Sequence, residues 1–164
     1  AVIVAADRSI QSANPQLVPM LTNAISSRLA ENSEASGYVP GMAILEFQYN
    51  NPRWVAMTHS ELAEEFGVDR IVFVDVYEYR LHEPGNPYLW AGVAAANVGV
   101  VESDGPLPDD YIYSKAISVG FPDGAGFGPT DFNAATVATV LNSRFVDRIT
   151  WLFYEHQEPY YPDY

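Results

Sequence analysis

The sequence predicts a single α/β domain: a mixed sheet of four to five strands in the order β-α-α-β-β-β-α, with helices mainly on one face. Three observations predict it. The chain opens on "AVIVAAD" (1–7), a short apolar run rich in β-branched residues that reads as a buried strand. Helical patterns then fill most of the stretch up to residue 68, so the first strand reaches the next one through a helix-bearing crossover. Three strand-like runs follow, joined by short polar turns, and a long helical stripe comes after them. With 164 residues, 48% hydrophobic and 18% charged, the chain has enough apolar side chain for one core. No internal repeat or linker divides it.

The crossover helices are marked by their apolar spacing. In 14–32, Leu17, Met20, Leu21, Ala24, Ile25 and Leu29 make one stripe, and Asn14-Pro15 is a start signal. "SEASGYVPG" (33–41) is a loop with room for one short strand at Tyr38 and Val39. In 42–54, Ile44, Leu45, Gln48 and Tyr49 suit a helix, while Ala43, Leu45, Phe47 and Tyr49 suit a strand; helix is preferred, ending at Asn50-Asn51-Pro52. The 58–68 helix is sharper. Thr58 and Glu61 form a capping box, Leu62, Ala63 and Phe66 the apolar face, and Gly67 the stop.

Strands are expected at 70–81, 88–103 and 111–121, linked by "HEPGNP" and "SDGPLPDD", an antiparallel meander. The first is apolar on both faces over 71–74 and so central. By strand parity, Tyr77 and Tyr79 share one face and Glu78 and Arg80 the other. The second carries Ala91, Gly92, Ala94, Ala95 and Ala96, small residues that let a helix approach closely. That helix is expected from about 131 to 156, with Val137, Val140, Leu141, Phe145, Ile149, Leu152 and Phe153 as its stripe. The tail 157–164 is expected to be extended.

Composition excludes several functions. A net charge of −13 repels phosphate backbones and anionic headgroups, so nucleic acid and direct membrane binding are disfavoured. The absence of cysteine removes disulfides, thiolate nucleophiles and cysteine-based zinc sites. No apolar run is long enough for a membrane helix. The first residue is Ala, not Met, and a strand begins at once, which suggests a trimmed or a processed chain, an export signal being one candidate for the upstream piece.

The stretch "ELAEEFGVDRIVFVDVYEY" (61–79) resembles the "elA..lGvDyvv.g.v" segment of CsgG-type curli-assembly and TolB N-terminal domains. It is also similar to bacterial envelope lipoproteins of that superfamily. The order of elements agrees over most of the chain, and the specific likeness covers 58–79. The resemblance implies an exported, periplasmic α/β domain with an assembly or regulatory role and no enzymatic activity. Two features of the family are missing here: the lipid-bearing Cys and the long amphipathic pore hairpins. Pore formation is therefore not implied, and any membrane contact would run through an upstream lipid anchor.

The remaining motifs are weak as chemistry. His59, His82 and His156 have no metal-ligand spacing, and His156 suits the C-terminal end of the last helix. Ser60 beside His59 lacks a nucleophile elbow and reads as a helix starter. "GAGFGP" (124–129) precedes a helix but lacks the Lys-Ser/Thr of a phosphate loop, and Asp131 would repel an anion there. Asp75 reads as scaffold, a carboxylate closing the apolar part of its strand. Asp104, Asp109, Asp110 and Asp123 lack a calcium-loop register. No catalytic residue, cofactor or metal is expected.

Aromatic residues are the distinctive feature: 11 Tyr, 8 Phe and 3 Trp. Tyr77, Tyr79 and Trp90, near Tyr88 at one end of the first hairpin, are expected to form a partner-binding platform. The role expected is protein–protein interaction or self-association in the envelope. The alternative is a small-molecule-binding or hydrolytic domain using Asp75 or the Gly124–Gly128 loop.

Overall fold

The computed structural model describes residues 1–158, so the expected extended tail lies, but for its first two residues, outside the described residues. The chain forms one four-stranded mixed sheet in the order β1-β2-β3-β4: β1 (Val2–Ala6), β2 (Arg70–Glu83), β3 (Asn86–Glu102) and β4 (Tyr111–Phe121). β1 runs parallel to β2, Val2 opposite Val72, and the other neighbours are antiparallel, as a crossover followed by a meander requires. The predicted α/β class holds.

The crossover carries α1 (Arg8–Ala13), α2 (Leu17–Asn32), α3 (Gly41–Asn50), a 3₁₀ turn (Trp54–Ala56) and α4 (His59–Phe66). α1 is not legible in the sequence: it is six residues long and buries Ile10 alone, too little for a periodic stripe. The strand considered at Tyr38 and Val39 does not form. Instead Tyr38 folds its hydroxyl back onto Ser33 and accepts the Ala35 amide at 2.9 Å. Residues 42–54 are helical only to Asn50 and then tighten into the 3₁₀ turn. α4 carries the capping box: Thr58 Oγ1 accepts the Glu61 amide, the Glu61 carboxylate accepts the Thr58 amide, and Gly67 ends the helix at φ 62°.

α5 (Ala134–Thr150) is shorter than the predicted 131–156. Asn133 caps its first turn through Thr136, and Trp151 ends it. Leu152 and Phe153 still pack on the core from beyond the helix, so the sequence stripe outlasts the helix. His156 accordingly lies past the helix end, stacked on Trp151 at 4.6 Å.

The larger core cluster lies between the sheet and the two long helices. Val4, Val74, Val76, Ala96 and Val98 meet Leu21 and Ile25 of α2 and Leu141, Phe145 and Ile149 of α5, all buried. The small residues of β3 do what their size predicts. A Cβ at Gly92 would lie 2.7 Å from the Phe121 carbonyl oxygen and 3.3 Å from Leu141. A smaller cluster covers the opposite face over β1 and the start of β2, where Ile3 and Ile71 meet Ile44 of α3 and Leu62 of α4. Beyond it that face carries no helix among the described residues.

Candidate functional site

The uncovered half-face is built by the pairing register. Asp75 opposes Asn97, which opposes Ala116; Ala95 opposes Ser118; Gly99 opposes Ser114. Cross-strand partners share a face, and here Asp75, Asn97, Ser114, Ala116 and Ser118 are exposed. Tyr77 joins them at 46% exposure. β4 borders this face as an edge strand, and every residue from 111 to 116 is exposed. Its first turn presents Tyr111, Ile112 and Tyr113, at 50%, 54% and 40%, beside Leu107 at 59%.

Tyr111 is positioned, not loose. Its ring lies on Gly99, where a Cβ would come within 2.5 Å of the ring carbons, so a side chain there would expel it. It also meets Phe73 at 6.1 Å and His59 at 5.3 Å. Burial and then the nearby Asp75 carboxylate raise its pKa. A register shift between Val100 and Val101 sends Tyr113 to the opposite face, against Val100. The edge therefore shows aromatic surface on both sides.

The platform expected from Tyr77, Tyr79 and Trp90 is not assembled. A β-bulge between Val76 and Glu78 breaks the parity on which it rested. Val72, Val74 and Val76 face α2 and α5, and after the bulge Tyr79 and Leu81 do. Tyr79 donates its hydroxyl to Asn142 Oδ1 at 2.8 Å, and burial raises its pKa. Trp90 is 5% exposed. It stacks on His82 at 4.3 Å and donates its indole N–H to the Phe132 carbonyl at 2.8 Å, a core role under the loop after β4. Tyr77 alone of the three remains open to a partner. The same bulge puts Glu78 on the face of Asp75, against the parity expectation.

Sequence reasoning misses Tyr111, Ile112 and Tyr113. The signal is present: a meander ends on an edge strand, and "YIY" opens that strand straight after a polar turn.

The motifs read as weak chemistry are structural. Ser60 donates both its amide and its hydroxyl to Asp109 Oδ1 at 2.9 Å, and His59 Nδ1 bonds the Asp109 carbonyl at 2.7 Å. The serine hydroxyl is thus spent on the carboxylate, not on the imidazole, so no nucleophile–base pair exists there. The pair clasps the 103–110 loop to the start of α4, and the Ser60 amide and hydroxyl hold the Asp109 carboxyl below its usual range. In the Gly124–Gly128 loop, the Asp131 carboxylate accepts the Gly128 amide at 2.8 Å, filling the place of an anion. Asp75 is exposed rather than buried. Among the described residues, no group of His, Asp and Glu side chains is arranged to hold a metal ion. No described helix is long and apolar enough to cross a membrane.

Fold and surface define a single-sheet α/β domain whose edge strand β4 is exposed and aromatic among the described residues. No protein-family model matches the chain, and no curated protein matches it. Its fold is shared by solved structures. Lipoprotein GNA1162 from Neisseria meningitidis superposes with a TM-score of 0.53 at 16% identity, covering 90% of this chain and 92% of that one. A dodecamer of a PelC variant from Paraburkholderia phytofirmans gives 0.53 at 11% identity, covering 94% and 86%. At such identities the likeness is one of fold. The fold is thus one that a bacterial lipoprotein has; neither structure singles out the curli-assembly or TolB domains.

Proposed function

We propose that this chain is a non-enzymatic, exported part of the bacterial cell envelope that works by associating with copies of itself. The contact runs through the start of β4 and the uncovered face beside it, with Tyr77, Tyr111, Ile112 and Tyr113 as contact residues. One observation carries the reading: an edge strand whose first six residues are exposed and which opens on Tyr-Ile-Tyr. An exposed edge with apolar side chains is a template for another chain. The 111–121 strand holds a single charged residue, Lys115, in a chain of net charge −13. It is therefore a strip along which like-charged copies can meet with little repulsion. The dodecamer of PelC and the lipoprotein nature of the Neisseria protein support assembly and an envelope setting.

Sedimentation velocity across a concentration series tests this. The wild-type chain should show reversible association, and Ile112→Lys should remain monomeric with unchanged thermal stability, because Ile112 lies on the surface. A wild-type chain that stays monomeric throughout the series overturns self-association.

A further inference from the structure

A groove of about 830 Å³ lies on the α2 and α5 side of the sheet and reaches Val100, the β3 residue that pairs with Tyr113 of β4; its volume is within the usual range for ligand sites. Its floor is apolar: Leu29 of α2, Val72, Val100, Val68 and Phe153. One wall is the polar flank of α2 and the loop after it, from Ser26 through Ser33 to Tyr38. Ser26 is 6% exposed, yet its hydroxyl oxygen has no hydrogen-bond partner. A buried hydroxyl without a partner is uncommon and points to an absent one.

Near neutral pH the unpaired charge of the groove is negative, because burial lowers the pKa of the Ala1 amine that also lines it to about 6. α2 ends at Ser33 on its wall, and Phe153 enters it just past the end of α5. Asp69 and Glu34 stand exposed on the rim. The rim side chain Arg70, a cation, is already paired with Glu102. An anionic ligand is repelled here, and a purely apolar one leaves Ser26 unpaired.

We infer that the groove binds a primary alkylammonium group: an aliphatic chain on the Leu29, Val72, Val100 and Phe153 floor, with its NH₃⁺ donating to Ser26 Oγ. This chemistry has two sources, a free linear amine and a lysine side chain of a partner. The ammonium supplies the donor that the serine oxygen lacks, and the rim carboxylates supply the field.

The test is a titration of the whole chain, followed by amide chemical shifts, with n-octylammonium, n-octanol, n-octanoate and N-acetyl-lysine methylamide. n-Octylammonium should saturate, with shifts confined to Ser26, Leu29, Val72, Val100 and Phe153 and their neighbours. n-Octanol should bind at least tenfold more weakly, and n-octanoate should not bind. Asp69→Asn with Glu34→Gln, both surface changes, should weaken binding several-fold while the spectrum stays folded. Ser26→Val should weaken it at least tenfold. Saturation by N-acetyl-lysine methylamide at comparable affinity assigns the site to a partner's lysine; its failure beside a binding n-octylammonium assigns it to a free amine. Absence of saturable n-octylammonium binding, shifts elsewhere, or equal binding of n-octanol overturns the inference. The self-association test is read from sedimentation at β4, so either idea can fail alone.

Discussion

Arg144 shows how much a single side chain can organise. It is the buried cation of α5, with its guanidinium doubly bonded to Asp123 at 2.6 and 2.7 Å, bonded to the Gly120 carbonyl at 2.8 Å, and set 5.0 Å over the Phe121 ring. Removing one partner of such a pair leaves a poorly solvated charge. Asp123→Asn should cost roughly 2 kcal/mol, less than a fully buried pair because the Asp123 side chain is 31% exposed. The hydrogen bonds from Arg144 hold the Asp123 carboxyl below its usual range. A depressed folded pKa gives stability that is present above the unfolded value, about 3.9, and is lost as pH falls through the folded one. Urea melts of wild type and variant should therefore differ fully at neutral pH and converge below about pH 4. A difference that is constant with pH would mean that the carboxylate is not the stabilising group. None of this is legible in the sequence, because Asp123 and Arg144 meet only once the loop after β4 folds back over α5.

Among the elements, the sheet and the capped helix are readable because each rests on a local rule. Alternation marks a strand, and Thr58 with Glu61 and Gly67 marks both ends of α4. What fails also fails locally. One extra residue at Tyr77 reverses the facing of everything after it in β2, so counting by twos sends Tyr79 to the wrong side. Trp90 reads as surface because nothing in its neighbourhood tells of the loop around Phe132 that covers it. The small residues of β3 are a sound guide, since room for a helix depends on size alone. Gly92→Ala should test that fit. Its methyl would collide with a backbone oxygen, which cannot move aside as a side chain can, and the cost should be about 1–3 kcal/mol in a thermal melt. A midpoint equal to wild type would show that α5 and β4 do not close on β3 as described.

For the molecule as a whole, the order of elements places the edge strand, but the surface chemistry of that edge appears only with the register. The parallel pairing of β1 with β2 has a kinetic consequence. Strands β2, β3 and β4 find one another across short turns, whereas Val4 must find Val74 across the entire helical crossover. The entropy of closing that loop is lost before the contact returns anything. The meander should therefore form in the folding transition state, with β1 docking afterwards. Val98→Ala, at the centre of β3, should slow refolding. Val4→Ala should leave refolding nearly unchanged and speed unfolding instead. Chevron plots of the two variants separate the cases, and equal slowing of refolding by both would disprove this order. On a ribosome, the strand that is made before its partners would then wait longest for its place, leaving its valines uncovered while the rest of the sheet assembles.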